Sequence, residues 1–361
     1  MKFFKRVFVV AFVVGFLGCI GYFVAYPVVS AYVMPDDIRM TRGEIENRVS
    51  VSPHSLVGAE YERAIFTDDQ SRTFIDLKLF GFIPLKRVMV DVLPYDTLCA
   101  GGIPIGFVAK TDGAVVLRDG GKYRRGDVIT DLEGATITGV EDLKRHLGNR
   151  KLGVWVKDDT SGVGTLTYVN PANNNFAALG HKLVDFETGA NVNLRSGDVY
   201  SCNVIGIEKS NHKSVGCIQS TLRKGSDGVQ GSILSSNNRG VFGCLHEQSC
   251  LAKKCAHCIY PVASRYSVKR GEASILCSLN GEEVGEYEIK IERAKYQPSN
   301  ADKGLILRIT DERLLNATGG IVHGMSGSPI IQNGHIVGAV THVMGGDVTR
   351  GYGVYVDFLL P

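Results

Sequence analysis

The chain carries almost no net charge. Its 361 residues include 40 Lys and Arg against 37 Asp and Glu, a formal charge of +3, and no basic stripe with interleaved aromatic residues occurs. Because nucleic-acid binding depends on clustered Lys and Arg that neutralise phosphates, we predict no nucleic-acid partner. Charged residues make up only 21% of the chain and hydrophobic residues 44%, which argues against disorder and predicts two or more compact domains.

The cysteines do not form a simple disulfide framework, since there are nine of them. Four cysteines and two histidines share one short stretch: Cys244, His246, Cys250, Cys255, His257 and Cys258. Two cysteine pairs could bind zinc tetrahedrally, but the spacing from Cys244 to Cys250 is longer than that of usual ligand pairs. Disulfides and reduced thiols are the alternatives, and we predict neither a metal nor a cofactor.

Charge is also missing from the run Val7 to Val33, which follows Lys2, Lys5 and Arg6. Spanning a bilayer takes about 20 apolar residues, so this run is long enough for a transmembrane helix. Positive charge before it places the N-terminus inside and the bulk of the chain outside the synthesising cytoplasm. The alternative is a cleaved signal peptide. We predict a retained single-pass anchor in residues 1–35, followed by a linker and a strand-rich region in 36–92.

Short strands dominate the rest of the pattern. The 43 glycines are spread along the chain, and Ile75 to Val92 alternates apolar and charged positions. Alternation with period two indicates half-buried strands, and frequent glycine is typical of the turns between them. The sequence therefore predicts a mainly β protein.

Residues 93–156 have the order of elements of a small α/β domain. A glycine-rich segment at Ala100–Phe107 precedes a predicted strand at Ala114–Leu117, the segment Arg125–Ile129 and a predicted helix over Val140–Leu147. This order resembles a PDZ domain, whose glycine-rich loop binds a peptide carboxylate and whose open sheet edge accepts the peptide as a strand. The resemblance predicts these peptide-binding residues: Gly101, Gly102, Ile103, Ile105 and Gly106. The alternative is a generic module that only connects the neighbouring regions.

The hexapeptide Gly324–Pro329 places Ser326 between two glycines and ahead of the apolar pair Ile330-Ile331. Because glycine has no side chain, a carbonyl can approach the serine hydroxyl. The backbone N–H groups of the turn also remain free to face an oxyanion. The motif is similar to the nucleophile turn of chymotrypsin-like serine proteases. The alternative is an ordinary Gly/Ser turn between strands.

A nucleophilic serine needs a general base, and His181 directly follows a glycine between two apolar stretches. Imidazole can take the hydroxyl proton near neutral pH. A carboxylate would fix the imidazole tautomer, for which Asp311 is the first candidate and Asp185 the second. Sequence spacing alone does not decide between them.

Three segments together resemble the stage IV B sporulation peptidase family, which consists of membrane-tethered PDZ serine proteases of endospore-forming Firmicutes. These segments are Ala178–Gly189, Ile309–Ile330 and Gly338–Val343. The resemblance implies that Ser326 is the nucleophile, His181 the base and Asp311 the third triad member. It also implies an oxyanion hole formed by the N–H groups of Gly324 and Ser326.

By the same resemblance, the Ser328 hydroxyl serves the turn, and residues 157–361 form a chymotrypsin-like β-barrel peptidase domain. The order His, Asp, Ser along the chain agrees with this fold class.

The function implied is a serine endopeptidase that cleaves itself and a protein partner in the intermembrane space, from the forespore membrane. This cleavage would signal to a membrane-embedded complex that processes a mother-cell sigma factor. The competing hypothesis is a non-catalytic PDZ adaptor tethered to the membrane. A cysteine-rich metal-binding envelope protein would explain residues 244–258 alone.

Overall fold

The computed structural model describes most of the chain in two compact units, Met1–Asp96 and Thr97–Pro361. The described residues are 25, 28, 29, 31, 32, 34–49, 57–61, 72–80, 82–185, 187–191, 193–223, 228–295 and 303–361. Most of the predicted membrane anchor, including residues 1–24, lies outside them. Within the described part of the chain, no helix is both long enough and apolar enough to cross a bilayer.

The first unit is built on one small sheet. Its elements are β1 (Asp37–Met40), α1 (Arg42–Val49), β2 (Val57–Tyr61), β3 (Arg72–Leu79) and β4 (Ile83–Val92). The strand order is β1-β4-β3-β2, with β1 parallel to β4 and the other pairs antiparallel. Along β3, buried residues such as Ile75 and Leu77 alternate with exposed ones, as the predicted period of two requires.

In the second unit, six of the described strands pair in a closed cycle, which we call the first barrel. They are β6 (Pro104–Val116), β10 (Val156–Val169), β11 (Asn175–Ala178), β12 (Leu194–Glu208), β14 (Val229–Asn237) and β15 (Gly240–Leu245). The pairings run β6-β10-β11-β15-β14-β12 and return to β6. Apolar side chains including Ile105, Leu166 and Phe176 fill its core.

Short elements surround this barrel. They are β5 (Thr97–Ala100), β7 (Val128–Ile129), β8 (Asp131–Leu132), β9 (Ala135–Thr136), α2 (Val140–Leu147), β13 (Cys217–Leu222), α3 (Cys250–Cys255) and β16 (Ile259–Pro261). β5 joins β10 to β16, and β13 pairs with β12. The region around β7 to α2 has a small core of its own, in which Leu143 of α2 packs with Ile129 and Ile137.

Six further strands of the described chain form a second closed barrel. They are β17 (Gly271–Asn280), β18 (Glu283–Ala294), β19 (Leu305–Ile309), β20 (Pro329–Gln332), β21 (His335–Met344) and β22 (Asp347–Tyr355). Helix α4 (Glu312–Thr318) follows β19, and a short 3-10 helix (Val356–Phe358) follows β22. The prediction of a mainly β chain that contains a β-barrel is confirmed.

The division drawn from the sequence differs from this topology. The predicted boundary between 93–156 and 157–361 lies inside the first barrel, because β6 on one side of it pairs with β10 and β12 on the other. By compactness the chain divides between Asp96 and Thr97, four residues from the predicted boundary between 36–92 and 93–156. The local pattern gave no sign that β6 continues into a larger sheet.

Candidate active site

Ser326 lies in a tight turn that leads into β20. The N–H of Gly327 donates to the Val340 carbonyl at 2.8 Å, and the N–H of Ser328 donates to the Met325 carbonyl at 2.9 Å. Met325 is fully buried beneath the turn. The apolar side chain and these bonds therefore fix the main chain on both sides of the serine.

Two positions of this turn require glycine. Gly327 has a φ of +97°, and a Cβ there would lie 2.1 Å from the carbonyl oxygen of Thr165. Gly324 has a φ of +102°, and its Cβ would lie 3.0 Å from that of Ile218. An L side chain rarely adopts such a φ, so the turn depends on both glycines.

Strand β10 of the first barrel forms hydrogen bonds with the serine turn, which precedes β20 of the second barrel. The N–H of Thr165 donates to the Ser326 carbonyl at 2.9 Å, and its hydroxyl donates to the Gly324 carbonyl at 2.7 Å. The Thr167 hydroxyl donates to the Gly327 carbonyl at 2.8 Å. Both threonines are buried. Sequence reasoning missed them, since nothing local connects residues about 160 positions away to the serine turn.

The turn is held by its carbonyl groups, and two of its N–H groups remain unengaged. Those of Gly324 and Ser326 donate no hydrogen bond to any residue that the structure describes. Both residues are partly exposed. These are the two N–H groups predicted to form the oxyanion hole, and their arrangement is compatible with binding an anionic oxygen.

The hydroxyl of Ser326 donates to the main-chain carbonyl of Thr341, on β21, at 2.8 Å. It makes no other hydrogen bond within the described residues, so no bond to His181 is formed in this structure. Ser328 is fully buried, and its hydroxyl has no partner among the described residues. The expected hydrogen bond of this hydroxyl within the turn is therefore not formed among the described residues, and its structural role stays a prediction.

His181 follows β11 and reaches the same part of β21. A Cβ at the preceding Gly180 would lie 3.0 Å from Cγ2 of Thr341, so the chain passes close to that strand. The His181 ring packs against the ring of His342, with centroids 4.9 Å apart. Ser326 and His181 thus both border the pair Thr341 and His342.

The tautomer of His181 follows from its hydrogen bond. Its Nδ1 lies 2.9 Å from the carbonyl oxygen of Lys182. A carbonyl only accepts, so Nδ1 carries the hydrogen of the neutral ring and Nε2 carries the lone pair. Nε2 is the nitrogen that acts as the base in a serine hydrolase.

Asp311 lies at the N-terminus of α4, where its carboxylate accepts from the N–H groups of Arg313 and Leu314 at 2.8 and 3.3 Å. The Arg313 guanidinium, 2.7 Å away, and three backbone N–H groups, that of Glu288 included, lower the pKa of Asp311 to about 2. Its hydrogen bonds within the described residues do not include His181. The structure therefore does not bring this predicted residue to the imidazole.

Asp185, the second candidate, is fully buried and lies 2.9 Å from Lys157. It also accepts from the Thr188 hydroxyl at 2.7 Å. Burial opposes its negative charge, but the bonds from Lys157 and Thr188 outweigh that effect and hold the pKa of Asp185 below its usual value. Its contacts among the described residues stabilise the loop after His181 and do not reach the ring.

The predicted peptide-binding segment is buried inside the second unit. The N–H groups of Gly101 and Gly102 donate to the carbonyls of Thr167 and Leu166 at 2.9 and 2.8 Å. Ile105 and Gly106 lie on β6, which pairs with β10 on one side and β12 on the other.

The side chain of Ile103 is likewise only 3% exposed. In this structure the segment therefore presents neither a carboxylate-binding loop nor an open sheet edge.

The cysteines do not form the suggested four-ligand arrangement. Cys258 lies beside β5, since its carbonyl accepts from the N–H of Ala100 at 2.8 Å, and Cys99 on that strand faces Ile259. Burial raises the pKa of the Cys255 thiol to about 12. The eight cysteines in the described residues are all free thiols, and no group of metal ligands occurs there.

The fold and the site define a β-barrel protein with a serine in a glycine-flanked turn and a histidine that borders the same strand. The family model for the SpoIVB peptidase S55 matches residues 148–360. Since this match spans more than half of the chain, the protein belongs to the SpoIVB peptidase S55 family, a family of serine peptidases.

A search of curated proteins found no match. Among solved structures, the chain is similar to the Rv3671c protease from M. tuberculosis in its active form. The two share 12% sequence identity, and the alignment covers 72% of this chain and 78% of that one with a TM-score of 0.34. The family assignment rests on the family model alone.

Proposed function

We propose that the chain is a serine endopeptidase in which Ser326 is the nucleophile and His181 the general base. The observation that carries this proposal is the pair of unengaged N–H groups on Gly324 and Ser326, beside a serine hydroxyl. Ordinary turns use such groups internally, whereas acyl-transfer sites keep them free for a developing oxyanion. Family membership supports the same chemistry.

The reaction begins when Nε2 of His181 removes the proton of the Ser326 hydroxyl. A bond forms between Oγ and the peptide carbonyl carbon, and the N–H groups of Gly324 and Ser326 hold the resulting oxyanion. The protonated imidazole then gives its proton to the leaving amine as the C–N bond breaks. A water molecule deprotonated by His181 hydrolyses the acyl-enzyme and restores the serine.

One hydrogen bond has to change before this reaction. The Ser326 hydroxyl donates to the Thr341 carbonyl, so its proton is directed away from the imidazole. Rotation about the Cα–Cβ bond of Ser326 releases it, which requires no change in the main chain. Catalytic hydrogen bonds that form only with substrate bound are common in ligand-free enzymes.

For the third position we propose Asp311, on the strength of the resemblance. The matched variants Asp311→Asn and Asp185→Asn test this choice, since Asn caps a helix about as well as Asp while removing the charge. We expect Asp311→Asn to lower kcat about 10⁴-fold, the scale found when a triad aspartate is replaced. If activity is retained, Asp311 is a helix cap and the Lys182 carbonyl orients the ring.

We propose that the second unit is a chymotrypsin-like double barrel. Its support lies in two six-stranded closed cycles, with the serine turn of the second held by β10 of the first. The chain order His181, Asp311, Ser326 agrees with this class. The adaptor hypothesis has less support, because the described hydrogen bonds leave no open edge at Gly101–Gly106.

The substrates and location are proposals from the resemblance. We propose that the peptidase cleaves itself and a protein partner in the intermembrane space, anchored in the forespore membrane. The cleavage would activate a membrane-embedded complex that processes a mother-cell sigma factor. Membership of a sporulation peptidase family is what supports this context.

The test compares the wild-type chain with Ser326→Ala and with Ser328→Ala. The second variant is a matched control, because the buried Ser328 hydroxyl has no hydrogen-bond partner among the described residues. Each protein is incubated with a fluorophosphonate probe, and fragmentation is followed by intact mass. We expect labelling and self-cleavage in the wild type and the control, and neither in Ser326→Ala. Labelling that persists in Ser326→Ala would overturn the assignment.

A further inference from the structure

The turn between β3 and β4 presents large apolar side chains to solvent. Phe80 is 50%, Phe82 72% and Ile83 42% exposed, and the two phenylalanine rings stack with centroids 6.4 Å apart. We call these three residues the aromatic tip. Hairpin turns usually carry Gly, Asn or Asp, and Gly81 is one such residue here, but large apolar side chains flank it on both sides. Such an apolar cluster at a hairpin end therefore indicates a contact surface.

The tip is not needed for the core of its own sheet. The neighbouring residues Leu77 and Leu79 are buried and supply the inward face of β3. Phe80 has a φ of +56°, a conformation that is unfavourable for a residue with a bulky side chain. The sequence thus keeps a strained, exposed aromatic residue where a glycine or asparagine would be more stable.

The chain enters the sheet at the same end as the tip. β1 runs parallel to β4, so residues before Asp37 lie toward the start of β4, where the tip is. The N–H of Met89 donates to the Asp36 carbonyl at 2.8 Å. Lys86 pairs with the Asp36 carboxylate at 2.8 Å and also donates to the Met34 carbonyl. These bonds direct the segment 34–36 along β4 toward Ile83.

What precedes this segment is the uncharged run Val7 to Val33, long enough to span a bilayer. Only three residues separate Lys86 from Ile83, about 10 Å along the strand. This distance is comparable with the depth of the interfacial layer, in which aromatic side chains are enriched. The carbonyl of Tyr32, near the end of the run, also accepts from Lys86. The aromatic tip therefore lies within about 10 Å of the end of the run, measured along β4.

The basic side chains near the aromatic tip do not make it a charged binding surface. Arg87 pairs with Asp76 at 3.0 Å, and Lys86 pairs with Asp36, so two basic side chains near the tip are balanced within the unit. The surface is consequently apolar in character, which suits the boundary between headgroups and acyl chains more than an acidic ligand.

We propose that the aromatic tip inserts into the surface of the bilayer that the N-terminal run enters. Phe80 and Phe82 lie at the headgroup level in this arrangement, and Ile83 contacts the upper acyl chains. The first unit is then attached at two places, by the run and by the hairpin. Two attachments fix the orientation of its sheet relative to the membrane, which a single flexible connection does not.

Tryptophan fluorescence in the full-length chain tests this proposal. The chain has a single tryptophan, Trp155, which is exposed and is replaced by phenylalanine as background. Phe82→Trp places the probe at the tip, and Arg72→Trp places it at the opposite end of β3, roughly 25 Å away along the strand. Each protein is reconstituted in phosphatidylcholine vesicles with either plain or acyl-brominated lipid.

We expect the emission of Phe82→Trp to shift to shorter wavelength and to lose most of its intensity with brominated lipid. That of Arg72→Trp stays unshifted and unquenched. Absence of quenching in both variants would overturn the proposal, as would equal quenching in both, since the sheet would then lie flat. A blue shift without quenching would place another protein segment or a second copy over the tip. Phe82 is an exposed turn residue, so the probe does not threaten folding.

Discussion

Two glycine-rich segments dock on the stretch Thr165–Thr167 of β10, and they use their N–H groups differently. Gly101 and Gly102 donate their N–H groups to the carbonyls of Thr167 and Leu166. The serine turn is instead bound through its carbonyls, which accept from Thr165 and from the Thr167 hydroxyl.

The first segment has its donors satisfied and is structural. The second keeps two donors free and can bind an anion. The two segments are similar in composition. Whether their N–H groups are engaged is what distinguishes the structural segment from the candidate site.

The variant Gly324→Ala tests the two unengaged N–H groups of the serine turn directly. In Gly324→Ala, the methyl group meets Ile218 at 3.0 Å and the φ of +102° becomes strained, so the turn shifts and the donor moves. We expect kcat to fall about 10²–10³-fold, the loss typical of removing one oxyanion donor.

The matched control is Gly346→Ala, whose φ of +85° gives similar strain with nothing within 4 Å. Equal losses of kcat in the two variants would remove the special role of Gly324. The rate of fluorophosphonate labelling is measured for both variants and compared with that of the wild type.

The variant Gly101→Ala tests how the segment Gly101–Gly106 packs on β10. A Cβ at this position would lie 2.1 Å from the Leu166 carbonyl oxygen, which belongs to the main chain of β10 and moves only with the strand. We expect Gly101→Ala to lower the free energy of unfolding by about 2–3 kcal/mol, the scale of overpacking in a core.

Urea denaturation measures this loss, with Gly345→Ala as a control because nothing lies within 4 Å of its Cβ. An unchanged midpoint for Gly101→Ala would mean that the segment is not packed on β10.

Replacing the threonine hydroxyl tests how the serine turn is held. Thr165→Val keeps the shape of the side chain and removes the donor to the Gly324 carbonyl. We expect about a 10-fold loss of kcat and a destabilisation of about 1–2 kcal/mol, because a partly buried carbonyl loses its partner.

Thr111→Val is the matched control, since its buried hydroxyl donates to the Gly113 carbonyl at 2.9 Å. It should lose stability and keep its kcat. A kcat loss as large in Thr111→Val would show that the effect is global.

The serine turn could be singled out from the sequence as the candidate site because its signal is local. Gly324, Ser326 and His181 stand in short motifs whose chemistry follows from residue type. Thr165 and the Thr341 carbonyl were not predictable, since they reach Ser326 only through barrel closure.

The mainly β pattern was likewise readable from alternation and glycine turns. The burial of Gly101–Gly106 could not be predicted, because a glycine pattern does not show which carbonyls its N–H groups will bind. The pairing of strands across residue 156 was not readable for the same reason: β6 looks like an isolated strand until β10 and β12 pair with it.

The smallest effect concerns acid stability and the cap of α4, the helix that follows β19. The pKa of Asp311 is lowered from 3.8 to about 2, chiefly by the Arg313 guanidinium. A carboxylate with a lowered folded-state pKa stabilises the protein above its unfolded-state pKa and loses that contribution as pH falls through the folded-state value. We therefore expect stability to decrease between about pH 4 and pH 2, by about 1 kcal/mol for a helix cap.

Asp311→Asn keeps the cap and cannot titrate, so its unfolding free energy should depend less on pH in this window. Urea denaturation of both proteins at a series of acid pH values gives the comparison. Identical pH dependence would show that the Arg313 pair does not hold α4 at the end of β19. The same variant separates this structural role from catalysis, because a cap acts on stability, whereas a triad member acts on kcat at neutral pH.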